Sequence, residues 1–128
     1  MTEQSTPTGT TGDHSYSDAP VAGMWSHRDL RTVAPIDPAR PRSHRALVAE
    51  GARVVIFAFD AGQELREHSA AFPILLQALS GHLRVTADDQ TIDLQPGGLV
   101  HMTTRLRHAV IAMEPSTLML TMLDPNAR

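Results

Sequence analysis

From Ala46 onward, no apolar run in this chain lasts more than about eight residues before a turn former stops it, a rhythm that suits strands and not long helices. Arg53-Val-Val-Ile-Phe-Ala-Phe59 is β-branched and aromatic, and Asp60-Ala-Gly62 ends it. Phe72 to Leu79 is a second apolar run, closed by Ser80-Gly81. Leu83 and Val85, then Thr91-Ile-Asp-Leu94, alternate around Ala87-Asp-Asp-Gln90, the pattern of a hairpin. Pro96-Gly97-Gly98 turns the chain; Leu99 to Thr103 and Arg107 to Met113 follow as short strands. Glu114-Pro115-Ser116 turns it again, and Leu118 to Leu123 closes it. No segment combines helix caps with a 3.6-residue period. The pattern predicts an all-β domain, sandwich or barrel.

The N-terminal third reads differently. Residues 1–20 are rich in Ser, Thr, Gly and Pro and hold almost nothing large and apolar, so they predict a disordered tail. Residues 21–45 predict an arm, with Trp25 beside Met24 as a large apolar anchor onto the body or a second subunit. Pro35, Pro38 and Pro41 exclude a helix interior there. Arg40, Arg42, His44 and Arg45 read as a solvated basic loop, with anion binding as the alternative. The β domain is expected over 46–125. At 128 residues the chain has room for one such domain and little more.

Composition removes several function classes. The chain has no cysteine, hence no disulfide, thiol catalysis, zinc ribbon or iron–sulfur cluster. All 11 basic residues are Arg, which excludes Schiff-base lysine chemistry and a P-loop lysine. A net charge of −3 gives no general pull toward nucleic acid. No apolar run approaches the ~20 residues of a membrane span. The N-terminus lacks a basic start followed by an apolar stretch, so no signal peptide is expected and the cytoplasm is the expected compartment.

The chemistry-bearing residues are Gly62, His68, Gly81, Gly97 and His108. Their spacing resembles the two motifs of the cupin superfamily, G-x5-H-x-H-x3–4-E-x6-G and G-x5-P-x-G-x2-H-x3-N, over residues 50–123. Gly62, His68 and Gly81 fall on the first motif's glycines and first histidine. Its second histidine falls on Ala70 and its glutamate on Ile74. Gly97 and His108 match the second motif, whose proline, glycine and asparagine fall on Thr103, Arg105 and Ala112. The resemblance implies a double-stranded β-helix, or jelly-roll barrel, and a homodimer.

It also implies a divalent transition metal (Zn, Fe, Mn or Ni) held in the barrel mouth by side chains from adjacent strands. Here only His68 and His108 remain as ligands, and ordinary sites use three protein ligands or more. His101, His82, Glu64 and Glu67 are the nearby residues that could substitute, with strand parity placing His101 outside. Pocket and core readings both fit Ile74, Leu76, Ala78, Met102, Val110 and Ala112, whose parity faces the interior. The reading favoured by this set is a small, largely apolar ligand meeting His68 and His108. The alternative is a metal-dependent cupin enzyme of the dioxygenase or isomerase type.

Overall fold

The structure is a computed structural model and describes residues 22–128. The tail expected over 1–20 lies outside the described residues. Nine strands are described: β1 Arg42–Ala49, β2 Ala52–Phe59, β3 Glu64–His68, β4 Ile74–Ser80, β5 Leu83–Ala87, β6 Gln90–Leu94, β7 Val100–Met102, β8 His108–Ala112 and β9 Ser116–Met122. They form two antiparallel sheets, ordered β1-β2-β9-β4-β7 and β3-β8-β5-β6. The chain changes sheet six times, after β2, β3, β4, β6, β7 and β8, and these crossings join the two layers into a barrel. A single 3-10 turn, Leu30–Thr32, is the only helical element among the described residues, and none of them forms a helix able to cross a membrane.

Strand parity builds the core. Cross-strand partners share a face, and on β4 that face carries Ile74, Leu76 and Ala78, all buried. They pack with Phe59 and Leu118 from the same sheet and with Leu83, Val85, Leu94, Val110 and Ala112 from the other. The opposite face of the first sheet is also buried in part. Ile56 and Ala58 of β2 lie under the arm, against Leu30, Val33 and Ala34. The arm thus forms a third layer, and these three residues are its anchors. Trp25, expected to be the anchor, is only half-buried and Met24 is exposed.

Two expectations are corrected. Arg42–Arg45, read as a basic loop of the arm, are the first half of β1, paired with Val55–Ala58. Extended backbone suits a chain that has just left Pro41, and the charged side chains stay exposed on an edge strand. Glu64–His68, which no apolar run announces, is β3. Its polar composition hid it, because only Leu65 and His68 turn inward and the rest faces water.

Gly81 is the tightest crossing between the sheets. Its φ is +81°, and a Cβ there would stand 2.2 Å from Ser116 Oγ and 2.4 Å from the Pro115 carbonyl oxygen. The space belongs to a hydrogen-bonded lock: Ser116 Oγ accepts from the His82 N–H at 2.9 Å and donates to the Glu114 carbonyl at 2.7 Å.

Candidate functional site

β3 ends at His68 and β4 begins at Ile74, so both residues lie at the same end of the barrel. At that end the inward-facing row of the second sheet runs Gln90, Ala87, His108, His68. The matching row of the first sheet runs Arg53, Met122, Ile74, Met102. Two loops close the end. The Arg105 N–H donates to the Ala70 carbonyl at 2.9 Å, and the Leu123 N–H to the Pro73 carbonyl at 2.9 Å. Ala70 and Leu106 pack from these loops against the core.

The two histidines meet. They are register partners across β3 and β8, with ring centroids 4.3 Å apart and planes tilted by 55°. His68 is half-buried, whereas His108 is 2% exposed. Each ring is fixed by its own strand's approach: Nδ1 of His68 lies 2.8 Å from the Arg66 carbonyl, and Nδ1 of His108 lies 2.9 Å from the Leu106 carbonyl. A carbonyl only accepts, so Nδ1 carries the hydrogen in both rings and Nε2 of the neutral ring keeps a lone pair. Nε2 of His108 is buried and has no hydrogen-bond partner among the described residues. Burial holds the His108 imidazole below its ordinary value of 6.5; the Leu106 carbonyl opposes this and the charge of His68 adds to it.

The residues that could have completed a metal site are turned elsewhere. Glu67 pairs with Arg107 at 3.1 Å on the exterior. His101 lies across from Leu75 on the outer face of the first sheet, its Nδ1 3.1 Å from the Ile74 carbonyl. His82 is at the far end of the barrel, beside Asp93 at 3.2 Å. Glu64 is exposed and lines a cavity of about 130 Å³ on the outside of the second sheet, with Arg84, Thr86, Ala109 and Ile111. Among the described residues no group of three or more His, Cys, Asp or Glu side chains converges. Two imidazoles beside an alanine and a buried isoleucine do not fit a resident metal of the ordinary kind.

Of the expected lining residues, Ile74 and Met102 share the mouth row with the histidines. Leu76 and Val110 lie one row deeper, Ala78 and Ala112 two rows deeper, and all of these pack into the core. Arg53, Met122, Ala87 and Gln90 complete the mouth rows and were missed from sequence. Strand parity carried across the whole sheet would have found them, but only once the pairing register was known. Arg53 sits at the end of its row with Nε 2.9 Å from Oδ2 of the buried Asp124.

No family model matches the chain, and no curated protein matches it. Solved structures do. An RmlC-like cupin protein from Desulfovibrio desulfuricans aligns with a TM-score of 0.70 at 27% identity, over 79% of this chain and 97% of its own. A cupin superfamily protein from Desulfitobacterium hafniense gives 0.69 at 20% identity, over 83% and 99%. A mutant salicylate 1,2-dioxygenase from Pseudoaminobacter salicylatoxidans gives 0.62 at 15% identity, over 69% of this chain and 27% of that enzyme. Motif spacing, strand order and these superpositions agree: the chain has the cupin fold, a small double-stranded β-helix.

Proposed function

We propose that this protein binds a small, largely apolar molecule at the His68 end of the barrel, with the two imidazoles as its polar contacts and no resident metal. The observation that carries the reading is Nε2 of His108, a buried nitrogen with a lone pair and no partner. Leaving such a group unsatisfied costs about 1–3 kcal/mol, which a ligand offering a hydrogen-bond donor would recover. Ile74, Met102 and Met122 form an apolar row at the same end of the other sheet. A few polar groups on an apolar wall is the usual make-up of a small-molecule site.

A metal-dependent enzyme is the second reading. Both rings are held through Nδ1, the arrangement that leaves Nε2 to coordinate, and a dioxygenase shares the fold. It lacks a third ligand. The test is the metal content of protein purified without added metal, together with NMR of the histidine ring signals during titration with phenol as an apolar donor probe. Metal-free protein whose His68 and His108 signals shift supports binding. Stoichiometric metal transfers the assignment to the enzyme reading. We further propose a cytoplasmic homodimer as the working unit, for which the unpaired edge of β1, with Val48 43% exposed, offers a contact surface.

A further inference from the structure

We propose that the outer face of the second sheet carries a second binding site, for a small amino acid, with Glu64 holding its ammonium group and Arg84 its carboxylate. This site is separate from the barrel end and does not depend on the reading given for that end.

Alternation along β8 keeps the two sites apart. His108, Val110 and Ala112 turn into the barrel and are buried. Ala109 and Ile111 point the other way, and there they line a hollow of about 130 Å³ together with Glu64, Arg84 and Thr86. Strand register explains why these residues share it. Glu64 of β3 and Arg84 of β5 are both partners of Ile111, one on each side, and Thr86 is the partner of Ala109.

The hollow lies between opposite charges that do not meet. Glu64 is exposed and takes part in no ion pair among the described residues. Glu67, the other carboxylate of β3, is matched by Arg107 at 3.1 Å, so Glu64 is the uncommitted acid of this strand. Arg84 meets Asp93 through Nε at 3.1 Å. That contact leaves the Nη side of its planar fork for a second carboxylate.

Spacing selects the ligand. β3 and β5 are two strand spacings apart, which places the backbones at Glu64 and Arg84 about 9.5 Å from each other. With both side chains upright, a charge-assisted hydrogen bond of about 2.8 Å at each end leaves roughly 4 Å between the ligand's nitrogen and its carboxylate oxygens. One or two carbons between amine and acid span about that distance. Volume sets the upper limit. The hollow has room for about four waters, well under the roughly 300 Å³ at which pockets for larger ligands begin. Ala109 and Ile111 offer its floor to a short hydrocarbon part.

The experiment uses the full chain and four probes: L-alanine, β-alanine, N-acetyl-L-alanine and L-alanine methyl ester. NMR of the Ala109 and Ile111 methyl signals reads the site and gives affinities by titration. L-Alanine and β-alanine are expected to move these signals and leave the His68 and His108 ring signals in place. The acetylated and esterified forms should bind at least tenfold more weakly than L-alanine. Glu64→Gln should abolish the advantage of L-alanine over its N-acetyl form, and Arg84→Gln its advantage over the ester. Methyl signals that no probe moves overturn the proposal. So does N-acetyl-L-alanine binding as tightly as L-alanine, which would make this a site for anions alone. Both of these results leave the barrel-end reading standing, because that reading is tested on the histidine rings.

Discussion

His68 and His108, 40 positions apart in the chain, are register partners on β3 and β8, with ring centroids 4.3 Å apart. One ring is half-buried and the other almost fully so. That asymmetry leaves one imidazole partly open to solvent and shields the other, and burial lowers the pKa of the shielded one.

The pH dependence follows from His108. Burial lowers its folded pKa below 6.5, so on acidification the unfolded chain takes up the proton first. Stability from this group is fully present above 6.5 and falls as pH drops below that value toward the lowered folded pKa. The neighbouring His68 adds to the lowering of His108 through its charge. Urea unfolding between pH 8 and pH 5 should show the loss, and His108→Leu should flatten it. Asp29, held at about 2, and Asp37, Asp93 and Asp124, all lowered from 3.8, act only in more acidic solution, where their stabilisation is lost as pH falls.

The two missing ligands can be restored. Ala70→His together with Ile74→Glu puts four donors around one point instead of two. Without metal the new carboxylate replaces an isoleucine that is 1% exposed, at a cost on the order of 3 kcal/mol. Zinc or manganese should return the melting temperature of the double variant to the wild-type value or above, while leaving the wild type unmoved. A double variant that ignores both metals would show that the two loops do not bring positions 70 and 74 to the histidines.

Gly81→Ala should be among the most damaging single substitutions in the barrel. The new methyl would collide with Ser116 Oγ and the Pro115 carbonyl while the backbone sits at φ +81°. Both penalties act together, for a loss of about 3 kcal/mol or more. Denaturant midpoints of Gly81→Ala and Gly97→Ala separate them, since a Cβ at Gly97 meets nothing within 4 Å and only the φ of +99° is at stake.

Leu30, Val33 and Ala34 pack the arm onto β2, while Trp25 is half-buried outside that cluster. Ala34→Asp would place a carboxylate against Ile56 and Ala58 and should cost about 2 kcal/mol or more. Trp25→Ala, at a half-buried position outside the two core clusters, should cost about 1 kcal/mol. Equilibrium unfolding of the two variants ranks the anchors directly.

Much of the barrel was legible in the order of residues. Runs such as Arg53–Phe59 and Leu118–Leu123 announce strands because β-branched and aromatic side chains alternate and turn formers end them. β1 and β3 were not legible, since an edge strand with a solvated face needs little apolar surface and reads like a loop. The site divided in the same way. His68 and His108 stood out through their spacing from Gly62 and Gly97. Arg53 and Met122 did not, because nothing local marks a residue placed by the strand opposite.

By itself, then, the sequence determined the class of fold, the positions of most turns and the identity of the two histidines. It also put Ala70 and Ile74 where the cupin motif that it resembles carries a histidine and a glutamate. Tertiary structure alone decided the rest. It brought the two imidazoles together and turned both Nδ1 atoms to carbonyls, leaving one Nε2 buried without a partner. It also drew Glu67, His82 and His101 away from the site. The physical reason is that side-chain period in a strand is a local property, whereas register between strands 40 residues apart is set by how the two sheets pack.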